Sequence, residues 1–370
     1  MLHRLSHNLT AYRLPNTFEF RVDDPGEDQA EIVDRLIGYY SYMKQESRRR
    51  GIPNIQGMWA HYINIFKEFD AALSARNAAE VSETLSRICT TKLVTGFASY
   101  HSYTSIAHDR RATMFESYLT VDRVLSLAES LGVANPQCPF QGPSGYFELD
   151  LERLFEGIRQ RASFDISAPK AGGGAFGLRT SAGIMSISEI LAIYAAGRVS
   201  SLLLDTDQKT VCEIGGGLGT LAFYMAKAGA SFVTVADLPI VSIIQGYYLM
   251  KSLGPGFVHL AGEAGSGTVR IIPYWELDDL ADKSVSIFIN IDSMPEIDAD
   301  IARHYIELIN TKGRDFFFSI NHETRVNNQN VVQDLIEDAG GFRRIRRSPH
   351  WMIRGHVEEV YKIRGGSPDE

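Results

Sequence analysis

Val211-Cys212-Glu213-Ile214-Gly215-Gly216-Gly217-Leu218-Gly219-Thr220 is the stretch on which the fold turns. Its first residues read as a buried strand and its last opens a helix that runs to about residue 228. The glycines between them permit a sharp reversal and a close approach of backbone to a ligand. The helix that follows offers free N–H groups. A dinucleotide fingerprint, G-x-G-x-x-G, starting at Gly215 would need a glycine at 220, where Thr220 stands. That disfavours a nicotinamide oxidoreductase. The glycines at 215, 217 and 219 instead form a G-x-G-x-G register behind the acidic Glu213. The next strand, Phe232–Ala236, ends in Asp237, where a carboxylate can hold both ribose hydroxyls of a nucleoside.

Outward from this loop, short β-branched and aromatic runs alternate with helical stretches. Strands are expected at Thr210–Ile214, Phe232–Ala236, Val269–Ile272, Val285–Ile291, Phe316–Asn321, Phe342–Arg347 and Glu358–Ile363. Helices fall between them at about 220–228, 239–252, 298–310 and 328–338. This alternation predicts an α/β fold, Rossmann-like, with a mostly parallel sheet of seven strands over 210–370.

The N-terminal half reads differently. Residues 1–26 are polar and irregular, an arm. Ile32, Leu36, Tyr40 and Met43 then share one helical stripe, and further helices are expected at about 56–72, 76–90, 112–131 and 149–161. Arg48, Arg49 and Arg50 before Gly51 read as a solvated helix end. This places an all-helical region at 27–165, expected to cap the C-terminal edge of the sheet and form the substrate pocket. Residues 166–209 read as a linker loop and helix. Their Gly172-Gly173-Gly174 and Gly177 lack P-loop order and suit a linker better than a flap.

Composition removes several function classes. The chain has 370 residues, 37 Lys+Arg against 45 Asp+Glu, and a net charge of -8. An acidic balance argues against nucleic acid as the main partner and against a polybasic membrane anchor. Cys89, Cys138 and Cys212 are widely spaced and odd in number, against a disulfide framework and for a reducing, cytoplasmic compartment. The opening residues lack the apolar core of a secretory signal, so none is expected, and no run of 18 apolar residues occurs. The expected partner is a small-molecule acceptor. Neither nucleic acid nor membrane is called for, and a homodimer is allowed.

The Glu213–Gly219 loop with Asp237 resembles that of class I S-adenosylmethionine methyltransferases. The resemblance implies S-adenosylmethionine as cofactor, with Glu213 near its methionine end. It places Gly215, Gly216, Gly217 and Gly219 under its ribose, and Asp237 and Leu238 at the ribose hydroxyls. Asp237-Leu238-Pro239 also occurs in plant-type small-molecule O-methyltransferases. Their catalytic histidine after the fourth strand is replaced here by Asn290-Ile291-Asp292-Ser293-Met294-Pro295-Glu296, so that mechanism does not transfer. A bacterial family described as sugar O-methyltransferases is more similar over about 185–325 and shares the loop, the turn and the Asn-x-x-Ser-Met-x-Glu segment. It implies methyl transfer to a sugar or sugar-containing metabolite, as in natural-product biosynthesis. Alternatives are N- or O-methylation of another small polar compound, or a non-catalytic cofactor-binding subunit. Asn290 and Ile291 join the cofactor set. For adenine, the sequence offers Tyr274 and Trp275 after one strand, or Glu263 after another.

Methyl transfer to a weakly acidic hydroxyl needs a base. His322, just after a central strand, is the first candidate, with Asp292 and Glu296 assisting; His101 and His350 are weaker. Tyr100, His101, Tyr103 and Asn321 are candidate substrate contacts. No metal site is assigned: Asp298 and Asp300 near Asp292 read as helix caps. Arg343 to Arg347 read as alternating charges guarding an edge strand.

Overall fold

The computed structural model describes residues 18–21, 26–52, 58–95, 109–136, 150–169, 173–325 and 329–364. The chain opens with strand β1 (Phe18–Arg21) and helices α1 (Gln29–Arg50), α2 (Met58–Ser74), α3 (Ala78–Ser86), α4 (Arg110–Ser130) and α5 (Leu151–Arg161). A hairpin, β2 (Ala175–Thr180) and β3 (Gly183–Met185), leads into α6 (Ile187–Leu203). The rest alternates: β4 (Thr210–Ile214), α7 (Thr220–Lys227), β5 (Phe232–Asp237), α8 (Pro239–Leu253), β6 (Val258–Leu260), β7 (Val269–Pro273), β8 (Val285–Ile291), α9 (Ala299–Lys312), β9 (Gly313–His322), α10 (Val332–Ala339), β10 (Phe342–Pro349) and β11 (His356–Ile363).

Local chemistry sets the helix starts. Asp109 and Asp150 accept backbone N–H groups at the starts of α4 and α5. Ser186 and Glu189 form a reciprocal capping box on α6. Pro239 sits in the first turn of α8, where its missing N–H costs nothing.

The large sheet runs β10-β11-β9-β8-β4-β5-β7-β6. Neighbours pair in parallel except β11, which is antiparallel to both β9 and β10. This mostly parallel sheet with one reversed strand beside its edge, covered by helices and joined to an N-terminal helical region, has the topology of the class I methyltransferase fold. The sheet has eight strands rather than seven, because Val258–Leu260 adds a three-residue edge beside β7. The strand that the sequence offered ahead of Glu263 thus forms beside Val269–Pro273 rather than in its place.

Two further features depart from the sequence expectation. Part of the N-terminal arm is a strand: β1 pairs antiparallel with β2, and β2 with β3, in a separate three-stranded sheet. Gly177 belongs to that sheet, and a Cβ there would lie 2.2 Å from the Met185 carbonyl oxygen, so the glycine serves close strand packing. In β10 the arginine alternation is broken by a bulge between Arg344 and Arg346. Arg344 and Arg347 therefore both reach Glu359, at 3.2 and 3.0 Å.

One contiguous core runs from Ile32 in α1 to Ile363 in β11, so the first helix shares the interior of the sheet. Arg35 forks onto Glu263 through two 2.8 Å bonds and also donates to the carbonyls of Pro255 and Val258. Tyr39 donates to the Ile271 carbonyl, and Leu36 lies against Gly246 of α8, where a Cβ would meet it at 2.7 Å. Helix α1 thus lies along the β6–β7 edge. Helix α4 meets the other end of the sheet, where Trp351 in the β10–β11 turn donates to the Ser126 carbonyl at 2.9 Å. Among the described residues no helix is long and apolar enough to cross a membrane.

Candidate active site

An open sheet binds ligands where its strand order reverses, above the C-terminal ends of the strands. Here that point lies over β4, which has β5 on one side and β8 on the other. The glycine loop leaves β4 at this crevice. Gly215, Gly217 and Gly219 have φ of 75°, 56° and 90°, left-handed values that β-carbon-bearing residues rarely adopt. A Cβ on Gly215 would fall 2.3 Å from Ser293 Oγ, and one on Gly216 2.6 Å from Val235. The loop is pinned by Gly215 N–H to the Ala236 carbonyl and Gly219 N–H to the Gly216 carbonyl, both 2.9 Å.

Two carboxyls flank it. Asp237, at the tip of β5, accepts from the N–H of Gly217 at 3.2 Å, from its neighbour Leu238 at 2.7 Å, and from Gln245 Nε2 at 2.7 Å. Loss of water around the carboxyl nonetheless pushes its pKa up to about 7, against those three donors. Glu213 is buried, its Oε2 without a hydrogen-bond partner among the described residues. Burial, and then the neighbouring Asp237, push its pKa up to about 8. The pocket is therefore an acidic, desolvated cradle that a cation and hydroxyl donors would satisfy.

Pro273 pairs with Asp237 across the β5–β7 ladder, which puts Tyr274 immediately past that carboxylate's neighbour. Tyr274 is partly exposed and meets Trp275 edge-on at 5.0 Å. Trp275 itself is 5% exposed and enclosed by the core, so Tyr274 is the aromatic surface available there. Glu263 is committed to Arg35 and to the Leu260 N–H at 3.0 Å.

On the other side of β4, Asn290 and Ser293 act as a strap. Asn290 Nδ2 donates to the Ile214 carbonyl at 3.0 Å and to Ser293 Oγ at 2.6 Å, and Ser293 Oγ donates to the same carbonyl at 3.1 Å. Asn290 Oδ1 accepts from Met294 N–H and from Asn321 Nδ2, the latter at 3.0 Å. Asn290 thus holds the start of the glycine loop with all its polar atoms engaged; Ile291 is partly exposed beside it. Asn321 is buried, and its Oδ1 has no partner among the described residues.

Beyond the strap lie the candidate acid–base groups. Asp292 is exposed, and His356 Nε2 lies 2.8 Å from its Oδ1. Glu296 is half-buried, and burial together with Asp292 pushes its pKa up to about 7. His322 stands opposite His356 across β9 and β11, ring centroids 5.9 Å apart, and its Nδ1 accepts the Thr324 N–H at 3.3 Å. His350 is buried, accepts the Ile353 N–H on Nδ1, and has its pKa pushed down to about 4 by burial. Asp298 caps α9 and Asp300 pairs with Arg303. Tyr100, His101 and Tyr103 lie outside the described residues.

Sequence reasoning missed Gln245, Ser293 and His356. Gln245 sits two helical turns after Asp237, a spacing that returns its amide toward that carboxylate, and Ser293 lies inside the quoted Asn290–Glu296 segment. His356, 64 positions from Asp292 at the first residue of β11, carries no local signal.

No protein-family model matches the chain, and no curated protein does. Among solved structures it is similar to magnesium protoporphyrin IX methyltransferase from Synechocystis PCC 6803 with bound SAM. There the identity is 16% over 50% of this chain and 86% of that one, with a TM-score of 0.36. It is also similar to an O-methyltransferase family protein from Burkholderia thailandensis, at 15% identity over 48% of this chain and 57% of that one, TM-score 0.37. A SAM-dependent methyltransferase from Aquifex aeolicus shares 16% identity over 45% of this chain and 88% of that one, TM-score 0.31.

Proposed function

We propose that this chain, built on the class I methyltransferase fold, transfers the methyl group of S-adenosylmethionine to a hydroxyl of a sugar or sugar-containing small metabolite. One observation carries the reading. Three left-handed glycines lay backbone under a crevice whose far wall is Asp237, with its acidic neighbour Glu213 beneath. The cofactor fits these residues: ribose hydroxyls would donate to Asp237, and the sulfonium cation would relieve two crowded carboxyls. Tyr274, partly exposed past the end of β7, would lie against adenine.

The methyl group on a sulfonium is already activated, so the protein must align an acceptor oxygen and remove its proton. Alignment is worth roughly 7–11 kcal/mol and a positioned base roughly 10²–10⁴-fold. The exposed Asp292, beside His356, and the partly exposed His322 offer polar groups at the strand ends, which supports a sugar over an apolar acceptor.

Calorimetry with S-adenosylmethionine on the wild type and on Asp237→Ala tests the cofactor half. The variant should bind at least about a hundredfold more weakly, because two hydroxyls lose a charged acceptor. Equal affinities would reject the site. S-adenosylhomocysteine release from a panel of hexoses, 6-deoxyhexoses and nucleotide-linked hexoses tests the acceptor half. A methyl group found on nitrogen, or release only with non-sugar acceptors, would overturn the sugar assignment.

A further inference from the structure

We propose that His356, oriented by Asp292, is the base that takes the acceptor hydroxyl's proton; this rests on the methyl-transfer reading above. Asp292 Oδ1 and His356 Nε2 are 2.8 Å apart. An ionised carboxylate only accepts, so in the neutral imidazole the proton sits on Nε2 and Nδ1 carries a bare lone pair. That Nδ1 is buried and has no hydrogen-bond partner among the described residues. A buried acceptor left open in this way is the place for a donor that the protein itself does not supply.

The backbone is shaped to present the pair. Asp292 has φ of 62°, one of three left-handed non-glycine residues among the described ones, and its N–H is tied to the Ile320 carbonyl at 3.0 Å. This turn brings the end of β8 to the start of the antiparallel β11, over β9 and beside the crevice.

The other two histidines here have spent the lone pair a base needs. His322 Nδ1 accepts from Thr324, so its neutral ring bears hydrogen on Nε2 and can only donate to an acceptor oxygen. His350 Nδ1 accepts from Ile353. The titratable groups set against His356 are Asp292 from the end of β8, His322 from β9 and His350 from the β10–β11 turn; Glu296 lies near Asp292, and Glu358 and Arg123 act on His350.

In the transfer, the acceptor's O–H proton passes to His356 Nδ1 while its oxygen lone pair bonds to the methyl carbon. The C–S bond breaks with its electron pair left on sulfur. The resulting imidazolium is held by the Asp292 carboxylate until its proton leaves to water.

Nitrogen NMR of the histidine side chains in the full-length protein, with neither cofactor nor acceptor added, reads the pair directly. His356 should show hydrogen on Nε2 and a bare Nδ1. In Asp292→Asn, whose amide can donate as well as accept, the ring hydrogen should no longer be fixed on Nε2. Hydrogen on Nδ1 in the wild type, or the same single tautomer in Asp292→Asn, overturns the proposal. With any acceptor that releases S-adenosylhomocysteine, His356→Gln should lower kcat at least about a hundredfold at unchanged cofactor affinity. His322→Gln, which removes only a donor, should cost about tenfold. The reverse order would overturn the proposal and give the base to His322. Failure of the wild type to bind S-adenosylmethionine would sink the functional reading while leaving the NMR result to stand or fall separately.

Discussion

Over β4 and β5 the site is backbone: alternating left-handed glycines, with a carboxylate only 20 positions from the loop N–H it accepts. Over β8, β9 and β11 it is side chain: Asp292, His322 and His356, from three strand ends, the outer two 64 positions apart. The first end has almost no freedom, because each glycine conformation and each close approach is sterically dictated. The second depends on how three strand ends are held together. Damage at the first should show in cofactor binding and at the second in turnover, with the Asn290–Ser293 strap joining them.

Gly215→Ala is the harshest way to try this contrast. The new Cβ would meet Ser293 Oγ at 2.3 Å from a backbone at φ 75°. The expected result is cofactor binding too weak for calorimetry, together with a lowered Tm. Near-normal binding would break the claim that this end is dictated by backbone.

Asn290→Ala probes the strap. It removes the donors to the Ile214 carbonyl and Ser293 Oγ and leaves the Met294 N–H short of its acceptor. Chemical denaturation should show a loss of about 1–3 kcal/mol for such buried groups. Cofactor affinity should fall less than for Asp237→Ala. If stability drops and affinity does not move at all, the strap is structural and the two ends are independent.

The smallest effect expected is on pH. The folded pKa values of Glu213 and Asp237, about 8 and 7, lie above their values in the unfolded chain. The native state therefore keeps protons that the unfolded state has released, and stability falls as pH rises from about 5 through 8. Scanning calorimetry of the cofactor-free protein should show Tm dropping by several degrees over that range, and Glu213→Gln should flatten the drop. Added S-adenosylmethionine, a cation that favours the ionised pair, should raise Tm more at pH 8.5 than at pH 6. An equal gain at both would mean that the carboxyls do not sense its charge.

The sequence by itself determined the alternation of strand and helix after residue 210 and the whole glycine-loop end with Asp237. Those signals are local: an apolar run, a G-x-G-x-G register and a carboxylate at the next strand's tip act within a few residues of one another. Only the tertiary structure decided that Phe18–Arg21 joins Ala175–Thr180 in a second sheet, that Val258–Leu260 extends the first, and that a bulge brings Arg344 and Arg347 to one Glu359. It alone set Asp292 against His356 and closed Trp275 into the core. The physical reason is common to all of these. A strand of three or four residues, a bulge or a hydrogen bond across 64 positions is stabilised by partners far along the chain, which become neighbours only when the sheet has formed.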